Sequence, residues 1–310
     1  MVNGPAVGLA LGGGFLRGVA HIGVLKAFQK SGIPVHMVAG TSAGSIVAAL
    51  YAAGYTPSKM EEITFALNPW DVFDYGPAAV NLLLMSVDCL CQLLRIPFPG
   101  RRPLGLMNGC KLKALMNRLL GKQRMFGETK IPLGITAVDA RDGTLVIFRE
   151  EAFEVRTIIP PKDVFVQEMP VATAVRASTA VPGLFEPVRM GERLLVDGGI
   201  RENIPAYVLR QMGADLIVAV DVGYSGHLPH PVGSIVDILT QSLEIVSSES
   251  INLKLEQYAD VVIRPVIKNM GPWDFDRIDY CIHQGETAAE AMVDEIKRRL
   301  ESWSKDKSII

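Results

Sequence analysis

The stretch "VHMVAGTSAGSIVAALYAAG", Val35 to Gly54, changes character at its middle. "VHMVAG" is a short apolar run ending in glycine, the pattern of a buried strand. "AGSIVAALYAAG" carries apolar residues at helical spacing and closes on Gly54, the pattern of a helix. Between them, Gly40-Thr41-Ser42-Ala43-Gly44 has the form G-x-S-x-G. A strand that feeds a helix through such a turn lifts the serine hydroxyl off the sheet edge, and the small residues around it relieve the crowding. Ser42 is therefore a candidate nucleophile. A serine hydroxyl needs a base beside it, yet none of the five histidines sits in the context of a triad base. The same letters also suit an unreactive turn of small residues.

The first 32 residues repeat this arrangement. "AVGLAL" (6–11) reads as a strand, "LGGGFLRG" (11–18) as a glycine loop, and "GVAHIGVLKAFQKSG" (18–32) as a helix that stops at Gly32. Two strand–turn–helix units in about fifty residues predict a parallel sheet with crossover helices. Gly12, Gly13 and Gly14 let backbone N–H groups turn outward where the helix dipole is positive, so the loop can hold a phosphate or an oxyanion. A dinucleotide site would place glycine where Arg17 stands, and an acid after the second strand, where Thr41-Ser42 follow. No acid occurs until Glu61, so that alternative fails.

Further along, 56–127 reads as helical and irregular. Strands are expected at 131–139 and 143–150, joined as a hairpin, then at 193–199, 214–223 and 259–267. Helices are expected at 171–179, 233–257 and 285–302. No repeat or linker divides the chain. The expectation is an α/β fold with a mostly parallel central sheet and helices on both faces. It forms one domain over 1–303, with a helical cap inserted at 56–127 and a frayed tail at 304–310.

Composition narrows the function. With 49% hydrophobic residues, 21% charged residues and a net charge of -2, the 310-residue chain is globular and has no global basic signal for nucleic acid. Cys89, Cys91, Cys110 and Cys281 have neither metal-ligand nor redox spacing, and reduced thiols suit a cytoplasmic location. No signal peptide is visible at the N-terminus. The apolar run 78–94 is interrupted by Asn81, Asp88 and Gln92 and falls short of the ~20 residues of a spanning helix, so a soluble or membrane-peripheral chain is expected. Between Asp88 and Glu128 there is no acid, only Arg95, Arg101, Arg102, Lys111, Lys113, Arg118, Lys122 and Arg124. Leu112, Leu115, Met116, Leu119 and Leu120 follow helical spacing there. The segment 78–124 is expected to touch an anionic membrane. A solvated basic face over an apolar cap is the alternative.

"RLLVDGG" (193–199) places Asp197-Gly198-Gly199 at a strand end, by itself a common turn. Taken with "LGGGFLRGVAHIGVL", "GTSAG", "RASTAVPGLFEPV" (176–188) and "VDGGIRENIP" (196–205), however, the chain resembles the patatin-like phospholipases. The resemblance implies a Ser–Asp dyad in place of a triad, with Ser42 as nucleophile and Asp197 as base. It implies an oxyanion hole in the loop Gly12, Gly13, Gly14 and Phe15, with Arg17 as its cationic support. No histidine, metal or other cofactor is called for. The implied reaction is hydrolysis of a phospholipid, lysophospholipid or similar acyl ester. An acyltransferase would share every residue, and a non-catalytic lipid-sensing protein could keep the fold. Phe15 departs from the family, which has a small residue there, and a phenylalanine does not readily take positive φ.

Other polar residues get plainer expectations. His21 makes a structural hydrogen bond, and His227 and His230 lack a third metal ligand. Ser178 stands on a helix without a glycine elbow. Asp221 is a strand-end carboxylate that more often caps a loop. Glu290 to Arg299 form a charged solvent face.

Overall fold

Strand β1 (Val7–Leu11) is buried at every residue, as a continuous apolar run in a parallel sheet must be. The computed structural model describes residues 4–98, 100, 102–150, 163–223, 235–271 and 274–306. After β1 the glycine loop passes into one 3-10 turn, Phe15–Val19, and then α1 (Ala20–Ser31), which stops at Gly32. Next come β2 (Met37–Gly40) and α2 (Ala43–Ala52), the second predicted unit.

The insertion supplies α3 (Pro57–Ala66), α4 (Pro69–Val72), α5 (Tyr75–Leu93), β3 (Gly105–Met107) and α6 (Cys110–Leu120). Thr56 and Asn68 cap α3 and α4 with their side chains, each followed by proline at the first helical position. Leu112, Leu115, Met116 and Leu120 turn inward from α6, as their spacing predicts. Helix α5 begins three residues before the apolar run and reaches 19 residues. It is long and apolar enough to cross a membrane by length and composition, with none of it buried, so the length argument against spanning does not hold.

The chain then builds β4 (Leu133–Asp139), β5 (Leu145–Phe148), β6 (Asp163–Val166), α7 (Val171–Ser178), β7 (Gly183–Phe185), β8 (Val188–Met190) and β9 (Arg193–Asp197). After β9 come α8 (Ala206–Gln211), β10 (Leu216–Val220), α9 (Ile235–Tyr258) and β11 (Val261–Ile263). Two helices, α10 (Ile278–Glu290) and α11 (Val293–Asp306), replace the single helix expected at 285–302. No glycine or proline marks the break at Ala291-Met292. Arg101, His227, His230 and residues 307–310 lie outside the described residues.

Among the described residues the main sheet runs β11-β10-β1-β2-β4-β5-β6, parallel from β11 through β4, while β3 and β7 pair separately. The expected hairpin is present, with β5 antiparallel to β4. Two apolar cores flank the sheet. Leu9 and Leu11 face one with α1, α2, α7 and α10, while Ala10 and Ala39 face the other with α8. Each large side chain buried this fully contributes about 1.5–3 kcal/mol.

The register of β4 places the site. One side of β4 pairs with β5 along Ile135–Val138. Its other side is shared: Leu133–Ile135 pairs with β2, and Ala137–Asp139 pairs antiparallel with β9. The two strands therefore approach each other head-on and stop either side of Thr136. Gly40 stands opposite Ile135 and Asp197 opposite Ala137. Two residues of β4, about 6–7 Å, separate those rungs, and the turn after Gly40 crosses that gap.

Candidate active site

Ser42 lies in that turn with φ 53 and ψ -126, a conformation rare for a residue with a side chain. The surroundings hold it there. The Ser42 N–H donates to Ser178 Oγ at 2.9 Å, and its carbonyl accepts from Ser45 Oγ at 2.6 Å. Thr41 is buried, its Oγ1 2.6 Å from Thr136 Oγ1 and donating to the Glu202 carbonyl at 2.8 Å. At Gly44 any Cβ would collide with the Leu11 carbonyl, so the first turn of α2 can sit against the end of β1 only with glycine there. Ser178 had no expected role, and its place behind the elbow is visible only once α7 is folded against α2.

Asp197 ends β9 and is 6% exposed. Its Oδ1 accepts from the Gly199 N–H at 2.7 Å, so the D-G-G turn fixes one oxygen and leaves the other free. That other oxygen, Oδ2, is buried without a hydrogen-bond partner among the described residues. The Ser42 hydroxyl is near enough to act on the carboxyl's titration, yet no bond of normal length and angle closes between them. Burial lifts the Asp197 pKa to about 6, with the Ser42 hydroxyl and the Gly199 N–H pulling it back. A carboxylate at that pKa is a far better base than one at its ordinary value near 4.

The glycine loop differs in detail from expectation. Gly12 N–H donates to the Val220 carbonyl at 3.1 Å, and Gly13 N–H to the carbonyl and Oδ1 of Asn203 at 3.2 and 3.1 Å. Both face protein acceptors rather than an oxyanion. Gly14, Phe15 and Ala43 have no hydrogen-bond acceptor for their N–H groups among the described residues. Phe15 does take positive φ, 52°, despite its side chain, and its half-exposed ring stands at the rim of the cavity below. A Cβ on Gly13 would lie 2.6 Å from Asn203 Oδ1 and 3.0 Å from the Ser42 Cβ, so the loop closes on the serine only through glycine. Asn203 thus ties the loop to the D-G-G turn. Its signal was the "RENIP" that follows Asp197-Gly198-Gly199.

Arg17 does not line the cavity onto which Ser42 opens. In a 3-10 turn residues three apart share a face. Phe15 with Gly18, and Leu16 with Val19, line the cavity, while Arg17 falls on the third face. Burial pushes the Cys281 thiol of α10 up to about 12, and the Arg17 charge draws it back only in part. His21 makes the expected structural bond, 2.8 Å from its Nε2 to the Gly12 carbonyl. Because a carbonyl only accepts, Nε2 carries the proton, and burial holds the ring's pKa down at about 4. Asp221 accepts from the Gly223 N–H and pairs with Arg264, a loop cap as expected. Among the described residues no group of three metal-binding side chains exists.

Ser42 opens onto a cavity of about 200 Å³ between α2, α3, α6 and the 3-10 turn. Ile46, Leu50, Ile63, Leu67, Leu115 and Phe185 are among its walls, and no charged side chain lines it. A serine hydroxyl beside a buried carboxyl, at the mouth of an uncharged apolar chamber and near unpaired N–H groups, is an arrangement suited to nucleophilic attack on a carbonyl.

A family model described as "Patatin-like phospholipase" matches residues 9–210. A protein named Lysophospholipase NTE1 from Debaryomyces hansenii is 26% identical over 322 residues, covering 94% of this chain and 18% of that protein. An uncharacterized NTE family protein of Mycobacterium bovis is 30% identical over 223 residues, 72% of this chain and 51% of that protein. The chain thus spans between about a fifth and about half of the length of these relatives. Human GIVD cytosolic phospholipase A2 shares the fold, with a TM-score of 0.52 at 13% identity over 98% of this chain and 61% of that one.

Proposed function

The chain belongs to the patatin-like phospholipase family, and from that premise we propose that it is a serine esterase acting on lipid acyl esters. Phospholipids and lysophospholipids are the substrate class. Ser42 Oγ attacks the ester carbonyl as Asp197 Oδ2 takes its proton. The N–H groups of Phe15 and Ala43, with Gly14 beside them, hold the developing oxyanion. Asp197 returns the proton to the departing alcohol, leaving the acyl group on Ser42. Water then attacks the acyl-enzyme, again giving its proton to Asp197, and the fatty acid leaves.

The observation that supports this reading best is the buried, unpartnered Oδ2 of Asp197 facing the elbow serine. A buried acceptor without a donor costs about 1–3 kcal/mol and calls for an explanation. The proton of Ser42 in the attacking state supplies one. The relatives' names point the same way for the substrate.

A fluorophosphonate probe tests the proposal. The wild-type chain should label, and both Ser42→Ala and Asp197→Asn should fail to. If folded wild-type protein does not label, the fold serves a non-catalytic role. Product analysis with water and a competing alcohol separates a hydrolase from an acyltransferase.

A further inference from the structure

Helix α5 wears its polarity inside out. Its half-covered positions, Ala78, Asn81, Leu84, Met85, Asp88 and Cys91, repeat at helical spacing and face the protein. Asn81 Nδ2 donates to the carbonyls of Leu106 and Gly105 at 3.0 and 3.4 Å. Asp88 pairs with Arg102 at 2.9 Å. The outward face holds Val80, Leu82, Leu83, Val87, Leu90 and Leu93, with Leu83 65% and Leu93 78% exposed. No charged residue stands on that outward face. An apolar helix face turned to water, interrupted by Ser86, whose hydroxyl bonds back to the Leu82 carbonyl at 2.9 Å, marks an interaction site.

Charge says what covers it. Residues 75–124 contain eight basic residues and one acid, while the rest of the chain contains 23 basic and 32 acidic residues. Cations stand at both ends of α5. Arg95 follows its C-terminus and Arg102 is held on Asp88, while Lys111 Nζ bonds the Trp70 carbonyl at the other end. Trp70 is exposed and packs edge-on against Tyr75, the first residue of α5. Exposed aromatic rings, an apolar face and flanking cations are what an interface between water and lipid favours. Asn81 ties α5 to β3 and Asp88 ties it to Arg102 just before that strand, so it lies along such a surface and does not pierce it.

We infer that α5 docks the molecule onto an anionic lipid bilayer, with Val80, Leu83, Leu90 and Leu93 in the acyl boundary and Arg95, Arg102 and Lys111 among the headgroups. This deepens the proposed function. The start of α5 adjoins the catalytic cavity, because Tyr75 packs at 5.7 Å on Phe73, which lines the cavity and stacks on Phe185 at 6.1 Å. A lipid would thus reach Ser42 without crossing open water.

Vesicle sedimentation of the Ser42→Ala chain tests the inference, independently of turnover. Vesicles containing phosphatidylglycerol should retain the protein at least tenfold better than pure phosphatidylcholine, and 0.5 M salt should release it. Leu83→Glu/Leu90→Glu should lower retention at least tenfold. In the wild-type background the same pair should leave hydrolysis of a short, water-soluble ester unchanged. Equal retention on both vesicles, or retention indifferent to the glutamates, overturns the inference. So does a dimer in light scattering that the glutamates split, with no vesicle binding, because the cover would then be a second copy. Loss of soluble-ester hydrolysis in wild type would sink the proposed function and leave the docking result standing.

Discussion

At the scale of the residue, the site turns on the proton affinity of Asp197. Its pKa of about 6 predicts that kcat/KM climbs with pH through that value and levels above it, since the base must be ionised. A pH–rate profile on a soluble ester, flat down to pH 4.5, would refute the assignment. Asp197→Asn keeps the shape of the side chain and the Gly199 bond but removes the base, so kcat should fall roughly 10²–10⁴-fold. Ser178 acts one step back, through the Ser42 N–H. Ser178→Ala leaves that buried donor without its acceptor, a loss of about 1–3 kcal/mol. The elbow loosens, so kcat should drop while KM for a soluble ester holds. Ser178→Thr, which restores a hydroxyl, should recover part of kcat.

At the scale of the element, the sequence displayed the first two strand–turn–helix units almost residue by residue, because glycine punctuates each and the apolar period changes at each turn. It displayed the D-G-G turn as well. The meeting of Ser42 with Asp197 was legible only through family resemblance, for it depends on β2 and β9 sharing one side of β4. Strand sharing is decided by pairing over more than a hundred residues and leaves no local mark. Arg176 shows how the insertion is tied down. It is buried in α7 and donates to the carbonyls of Asn108 at 2.9 Å and Glu186 at 2.5 Å. Arg176→Met should free both and destabilise the chain by about 2–4 kcal/mol. Urea unfolding should show that loss, and limited proteolysis should cut near 95–110 sooner. Unchanged cleavage would mean that the helices hold the insertion without it.

At the scale of the whole molecule, two buried groups pull stability in opposite directions with pH. Asp197 has a folded pKa raised from 3.8 to about 6, so the folded chain binds the extra proton and stability falls as pH rises across that window. His21 has a folded pKa lowered from 6.5 to about 4, so its share of stability is lost as pH falls across nearly the same window. Each amounts to roughly 3 kcal/mol at full extent. The two nearly cancel between pH 4 and 6. Asp197→Asn should therefore raise the melting temperature at pH 8, and its melting temperature should fall more steeply than that of wild type on acidification. If the two chains melt in parallel over that range, the carboxyl is not buried as described.

The uncharged chamber has a consequence for how a turnover ends. In the proposed acyl-enzyme both the hydrocarbon tail and the ester are neutral, and both suit walls such as Ile46, Leu50 and Leu115. In the proposed deacylation Asp197 would pass the water's proton on to Ser42 and leave a carboxylic acid beside its own carboxylate, with no cation among the chamber's described lining residues to hold a second negative charge. Once that acid loses its proton to solvent, two like charges would face each other in an uncharged chamber, so departure of the product should quicken as the medium becomes more alkaline.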